Sequence, residues 1–232
     1  MNRGWFITGT DTGVGKTRVS CLLLRALVGA GKSTVGMKPV ASGCQSTESG
    51  WRSDDALELM QAGNVRIDYA DANPYALASA CAPHLAAQEM GVEIRLEKIL
   101  DDFERLKEKS SWVVVEGVGG WRVPLGEKLT IADVARAMQL PVILVVGLRL
   151  GCLNHALLTV EAIRRDGLEL AGWVANAIDP AMSHAQENVQ TLEKSLPAPL
   201  LASFPYRPSG NDVNSSYGFS KQTIMHLTQI TD

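Results

Sequence analysis

The chain has 232 residues, 46% of them hydrophobic and 20% charged, and its 22 Lys and Arg against 25 Asp and Glu leave a formal net charge of −3. That balance describes a globular protein long enough to bury a substantial core. It excludes a nucleic-acid-tracking surface, because no basic block is long enough to follow a phosphodiester backbone.

The first predicted strand, Gly4–Thr8, reads "GWFIT" and leaves no room for a signal peptide before it. The glycine-rich segment Gly9–Gly15 follows. A helix opens at Lys16, with Val19, Leu22, Leu23, Ala26, Leu27 and Ala30 recurring at three- and four-residue steps. A second strand is expected at Val35–Val40 and a helix at Asp54–Gln61. Another amphipathic helix carries Leu96, Ile99, Leu100, Phe103 and Leu106 on one face and charges on the other. The remaining strands are Trp112–Glu116, Val142–Val146, Leu170–Asn176 and Leu200–Phe204, and helices at Thr130–Met138, Leu153–Arg165 and Ser183–Ser195 alternate with them. Pro205–Ser216, rich in Pro, Ser, Asn and Gly, reads as a loop.

The strands are apolar nearly throughout rather than alternating, as strands covered on both faces are. Strand–helix alternation predicts an α/β fold with a mainly parallel central sheet flanked by helices, in one domain spanning 1–232. The run "LPVILVVGL" is far too short to span a membrane. Cys21, Cys44, Cys81 and Cys152 are scattered without a C-x-x-C pair, which argues against zinc and against a disulfide framework and fits a reducing, cytoplasmic compartment.

Ile7–Arg18, "ITGTDTGVGKTR", ends in Gly-Lys-Thr as a phosphate-binding P-loop does, but Thr10 stands where the usual pattern wants its first glycine and Gly9 is one residue too far. Ala26–Ser33, "ALVGAGKS", has the better spacing in the wrong context, since it ends a helix and leads into a strand. A P-loop needs strand, loop, helix, so that the helix N-terminus points its free N–H groups at phosphates. Only Ile7–Arg18 has that order. Gly13 and Gly15 then allow positive φ, and amides from Gly13 to Arg18, through Val14, surround a phosphate. Lys16 is assigned to the β/γ oxygens and the Thr17 hydroxyl to Mg²⁺.

Magnesium needs hard oxygens. Glu116, in "WVVVEGVGG", follows four apolar residues and so sits at a strand's carboxyl end, where open parallel sheets bind ligands. Asp54 and Asp55, in "RSDDAL", open a helix; one is expected to be its N-cap, and the sequence leaves open which reaches the metal. Lys38, in "MKPVASG", falls near the end of the second strand, beside the P-loop, with Ser42 just after. A second cation there points to a reaction that builds negative charge, or to an anionic co-substrate.

These residues, with "NPYAL…APHLAA", "VEGVGGWRVPL", "LPVILVVGLRLGCLNHALLT" and "GWVAN", resemble in order and spacing the dethiobiotin synthetases, ATP-dependent ligases of biotin biosynthesis. The resemblance runs over most of the chain and implies a three-layer P-loop NTPase-type fold. It implies that CO₂ and 7,8-diaminononanoate form a carbamate, which attacks the γ-phosphate of MgATP, and that the second amine then closes the ureido ring. By this similarity Lys38 is the catalytic lysine, acting with Lys16, and Thr12 is a further donor toward the γ-phosphate. Thr17, Asp55 and Glu116 match the Mg²⁺ positions. Gly117, Val118 and Gly119 fall in the nucleotide site, Asn176 with Ala177 matches the adenine-reading position, and Pro205, Tyr206, Arg207 and Asp212 lie toward base or ribose. Ser42 matches a substrate contact. The family's homodimer implies that Gly151, Cys152, Leu153 and Asn154 offer helix-terminal amides to the substrate carboxylate near the subunit interface. The chain departs from the family at "SACAPH", Ser79–His84, and has Asp212 where a glutamate is usual. Switch ATPases that position plasmids or septa are the competing reading; they carry a lysine near the start of the loop, where this chain has Asp11.

Overall fold

A computed structural model describes residues 3–207 and 218–230. The chain begins β1 (Gly4–Gly9), α1 (Lys16–Gly29), β2 (Thr34–Met37) and β3 (Val40–Ser42). A short hairpin, β4 (Gln45–Thr47) and β5 (Gly50–Arg52), leads to α2 (Asp54–Ala62), α3 (Tyr69–Ala72) and β6 (Tyr75–Leu77). Next come α4 (Pro83–Glu89), α5 (Leu96–Lys109), β7 (Trp112–Glu116), α6 (Ile131–Met138) and β8 (Val142–Leu148). The last described elements are α7 (Cys152–Arg165), β9 (Leu170–Ala177), α8 (Ala185–Ser195), β10 (Leu200–Phe204) and α9 (Lys221–Ile230).

The main sheet has the order β10-β9-β8-β1-β7-β2, with every pair parallel. Successive residues of its strands feed opposite cores, which is why the strands read as unbroken apolar runs. Trp5 and Ile7 face a core built with Leu23, Leu24 and Leu27 of α1, Leu59 of α2 and Leu227 of α9. Phe6 faces the other, with Phe103 of α5, Val134 of α6, Val160 of α7 and Leu192 of α8. The result is a three-layer α/β fold.

From β1 the chain crosses to β2 on one side of the sheet and later to β8 on the other, with β7 inserted beside β1. That reversal opens a crevice at the carboxyl end of β1, where an open parallel sheet takes its ligand.

The predicted strand Val35–Val40 divides. β2 stops at Met37, Pro39 offers no N–H to a ladder, and Val40–Ser42 pairs instead with Tyr75–Leu77 in a separate two-stranded sheet. The hairpin, α3, β6, α4 and α9 have no counterpart among the predicted elements; all but α9 are short, and α4 starts with Pro83 in its first turn. The Ala26–Ser33 decoy is excluded directly, because the amides of Ala30, Gly31 and Lys32 bond back to the last carbonyls of α1 and so close a helix end. Among the described residues no helix is long and apolar enough to cross a membrane.

Candidate active site

The P-loop leaves β1 with Thr10 N–H donating to Val145 O at 3.0 Å. Gly13 and Gly15 take φ of 73° and 91°, the left-handed region expected of them. Gly15 is the N-cap of α1, and no side chain caps it. The first-turn amides of α1 therefore lack intrahelical acceptors and face the crevice with the positive end of the helix dipole. Lys16 Nζ folds back to the Asp11 carbonyl at 3.0 Å. Burial, and next the neighbouring Lys38 ammonium, push the Lys16 pKa down to about 8. An incoming phosphate would offset both effects.

Behind the loop, a Cβ on Gly15 would stand 2.2 Å from Asn176 Nδ2, so only glycine fits. Asn176 Nδ2 donates to Val14 O at 2.8 Å, and its Oδ1 accepts from the Arg18 guanidinium at 3.0 Å. Arg18 also donates to Pro205 O at 3.2 Å and lies over the Phe204 ring. Asn176, predicted to read adenine, is thus buried as a brace of the P-loop, with both ends of its carboxamide engaged.

At the loop's other side the ends of β2 and β7 and the start of α2 converge. Lys38 Nζ bonds Asp55 Oδ2 at 2.7 Å and Glu116 Oε1 at 2.5 Å. Thr17 Oγ1 lies 2.8 Å from Asp55 Oδ1 and 2.9 Å from Glu116 Oε1. Burial works to discharge Lys38, but the Glu116 and Asp55 carboxylates outweigh it and hold its pKa above the ordinary value. Burial likewise opposes ionisation of Asp55, and Lys38 reverses it, so the Asp55 carboxyl is held below its ordinary range.

Neither acidic residue of "RSDDAL" caps α2. Ser53 is the N-cap, accepting from Ala56 N–H, and it displaces the expectation that Asp54 or Asp55 would do so. Asp54 turns outward to accept from Gln45 Nε2. The residue that meets Thr17 is Asp55.

Thr17, Asp55 and Glu116 present hard oxygens, the donor set that suits Mg²⁺. Two observations fit a cation there. Glu116 Oε2 is buried with no hydrogen-bond partner. The Thr17 hydroxyl has one proton for two carboxylate oxygens within hydrogen-bond distance, which leaves one oxygen–oxygen contact uncompensated. Among the described residues no group of three His, Cys, Asp or Glu side chains converges, so a divalent ion would draw its remaining ligands from water and phosphate.

A cavity of about 810 Å³ joins these parts. Its walls include Thr12, Gly13, Gly15, Lys16, Thr17, Lys38, Ser42, Asp55, Glu116, Val118 and Gly119. Ala80, Cys81, Ala82 and Pro83 line it too, from the segment where the chain departs from the family pattern.

Other predicted residues lie elsewhere. Gly117 spends its N–H on Ile7 O, prolonging the sheet ladder. Val14 is buried beneath the loop. Ala177, Pro205, Tyr206 and Arg207 sit on the Asn176 and Arg18 side, and Asp212 lies outside the described residues. Gly151 caps α7 with φ 93° and no side-chain cap; Gly151, Cys152, Leu153 and Asn154 do not line the cavity of their own chain.

Two anchors were missed in the sequence. Asp11, the residue at the switch-ATPase lysine position, accepts from Thr12 N–H and pairs with Arg149. Asp166 accepts from Trp121 Nε1 at 2.7 Å and pairs with Arg122 at 2.9 Å, tying down the glycine loop after Glu116. Both partners lie more than 40 residues away, so no local signal marks them.

A family model described as an AAA domain matches residues 3–213. The ATP-dependent dethiobiotin synthetase BioD of Xanthomonas oryzae pv. oryzae (strain PXO99A) is 50% identical over 214 residues, covering 92% of this chain and 96% of that one. BioD of Xylella fastidiosa (strain 9a5c) is 51% identical over 206 residues, covering 89% and 91%. Among solved structures, the septum site-determining protein MinD with Mg-ADP from Pyrococcus horikoshii OT3 superposes with a TM-score of 0.57 at 15% identity, covering 100% and 96%. Cobyrinic acid a,c-diamide synthase from Mycobacterium smegmatis, with bound ATP analog and magnesium, superposes at 0.53 and 16% identity, covering 100% and 93%. At such identities the structural likeness establishes the P-loop NTPase-type fold alone.

Proposed function

The chain belongs to the ATP-dependent dethiobiotin synthetase family, and we propose that it closes the ureido ring of dethiobiotin from 7,8-diaminononanoate and CO₂, converting ATP to ADP and phosphate. The observation that carries this reading is that two buried lysines, Lys16 and Lys38, line one cavity together with Ser42. A nucleotide switch of the competing kind carries its extra lysine within the loop, where this chain has Asp11, whereas Lys38 comes from the end of β2 beside Asp55 and Glu116. A ligase whose acceptor is itself an anion has a use for a second cation there.

One substrate amine adds to CO₂ and loses a proton, giving a carbamate. The carbamate oxygen attacks the γ-phosphorus and ADP leaves, forming a carbamic–phosphoric anhydride. The second amine attacks the anhydride carbonyl, loses its proton and expels phosphate. The Lys16 ammonium and the first-turn amides of α1 hold the β/γ oxygens, and Thr12 donates beside them. Lys38 moves from its carboxylates toward the reacting oxygens, where negative charge is shared between carbamate and γ-phosphoryl group. Thr17, Asp55 and Glu116 would hold Mg²⁺, which would supply charge neutralisation at the phosphates. Ser42 donates to the diamine or its carbamate.

Asn176, with Ala177, Pro205, Tyr206 and Arg207, is assigned to the base and ribose side of the nucleotide, beyond Gly15. The helix-terminal amides at Gly151–Asn154, of which Cys152 N–H already donates to Arg149 O at 3.0 Å, are assigned to the substrate carboxylate of a second subunit. In support, Leu150, just before α7, is 95% exposed and Leu157 and Leu158 of α7 are exposed, an apolar surface suited to a homodimer.

The reading is tested by incubating the protein with diaminononanoate, ¹³C-bicarbonate and MgATP. Mass spectrometry should find dethiobiotin with one ¹³C, formed one-for-one with ADP. ATP turnover indifferent to the diamine and bicarbonate would overturn it.

A further inference from the structure

Lys38 is a sheet residue by position only. The ladder of β2 ends at Met37, and Pro39 has no N–H, so the sheet's hold on the backbone stops one residue before Lys38. Both its main-chain groups are taken by another segment. Lys38 N–H donates to Ala72 O at 2.7 Å, and Lys38 O accepts from Asn73 Nδ2 at 2.6 Å. Asn73 is buried, and its second amide hydrogen goes to Tyr75 O at 3.3 Å.

The other end of the Asn73 carboxamide is also claimed. Its Oδ1 accepts from the Tyr69 hydroxyl at 2.7 Å, and that hydroxyl accepts from Ser53 N–H at 2.7 Å. Ser53 is the N-cap of α2, two residues before Asp55. One continuous chain of hydrogen bonds therefore runs from the helix start that aims Asp55, through Tyr69 and Asn73, to the carbonyl of Lys38. Each group donates in one direction and accepts from the other, so the bonds polarise one another along a path that is part-buried at Tyr69 and buried at Asn73. The Tyr69 ring is held independently by the Arg52 guanidinium, 4.1 Å from its centroid.

From this we infer that Tyr69 and Asn73 are positioning residues that set the distance between Lys38 and Asp55, and so govern both the reach of the lysine and the geometry of the metal ligands. Neither touches the cavity, and neither figures in the P-loop. The inference rests on the ligase reading only where turnover is measured.

The test uses Tyr69→Phe, which keeps the ring and its Arg52 contact, Asn73→Ala, and the double variant. Three quantities are read: kcat for dethiobiotin formation, ADP affinity in EDTA, and Mn²⁺ affinity of the ADP complex by electron paramagnetic resonance. Each single variant should lower kcat roughly tenfold to hundredfold, the cost of a small misplacement of reacting groups. Mn²⁺ should bind the ADP complex several-fold more weakly, while ADP affinity in EDTA stays within about twofold, because the P-loop is not part of the chain. The double variant should be no worse than either single one, since one broken link breaks the relay. Unchanged kcat and Mn²⁺ affinity in Tyr69→Phe, losses that multiply in the double variant, or losses that track ADP-binding capacity would each overturn the inference. If the wild-type protein makes no dethiobiotin, the ligase reading fails while the Mn²⁺ arm still decides the relay.

Discussion

Lys38 Nζ lies 2.5 Å from Glu116 Oε1, a contact between two side chains both almost wholly out of solvent. The same ammonium bonds Asp55. Lys38 therefore occupies the side of the carboxylate pair that a divalent cation would also neutralise, and two cations there repel. Lys38→Met should lose most turnover while binding nucleotide, because the lysine charge matters most as γ-phosphoryl charge develops. It should also take the hydrogen-bonded counter-ion from the buried Glu116 carboxylate, at a cost of about 3 kcal/mol. Calorimetry in EDTA should find the variant destabilised, and added Mg²⁺ should restore much of the loss, with the wild type far less responsive. A melting temperature indifferent to Mg²⁺ in both would show that the carboxylates do not bind the ion.

Asp54 and Asp55 are adjacent in sequence and opposite in role. Asp55→Asn should raise the Mg²⁺ concentration for half-maximal turnover by roughly tenfold, about the 1.4 kcal/mol of one charge-assisted contact. Asp54→Asn removes only an exposed contact to Gln45 and should leave the metal requirement unchanged. Glu116→Gln should behave as Asp55→Asn does. A metal titration of the three variants checks the ordering, and equal curves for Asp54→Asn and Asp55→Asn would contradict it.

Asn176 separates two roles that a binding measurement can tell apart. As a brace it holds Val14 O and Arg18, so Asn176→Ala should weaken every nucleoside triphosphate alike, by about 1–2 kcal/mol for a buried hydrogen-bonded amide. As a reader of adenine it should weaken ATP while leaving GTP unchanged. Parallel titrations with ATP and GTP decide, and the geometry favours the uniform loss.

A pH effect is expected away from the site. Burial tends to raise the Asp71 pKa, but bonds from Lys109 Nζ and Arg105 Nε, both at 2.9 Å, outweigh it and hold the carboxyl below its ordinary 3.8. A carboxylate depressed in the folded state stabilises above its unfolded pKa, and that contribution is lost as pH falls through the folded value. Arg105 and Lys109 are partly exposed, so solvent screening limits the effect to about 1 kcal/mol. Wild type should exceed Asp71→Asn in denaturant stability at pH 7, and the gap should close as pH drops below about 4. A gap constant down to pH 3 would show that the ionised pair is not its source.

What the sequence determined by itself was what is local or periodic. The Gly13-Val14-Gly15-Lys16-Thr17 run, preceded by a strand and followed by a helix, marked the phosphate loop. Nearly unbroken apolar strands announced a sheet covered on both faces, and Glu116 at a strand's end marked the crevice. Motif order along the chain was enough to reach the dethiobiotin synthetase family, whose members match it at about half their residues. Only the tertiary structure decided which side chains meet. Lys38 and Glu116 are 78 positions apart, and Arg18 and Asn176 are 158 apart. Whether such residues touch depends on the crossovers that place β7 between β1 and β2, and on where helices end. Ser53 took the cap from its acidic neighbours, Asn176 turned to the loop's own backbone, and Tyr69 and Asn73 tied Lys38 to α2. Each outcome follows from buried polar groups finding partners across the fold, a requirement that acts in three dimensions and leaves no regular spacing along the chain.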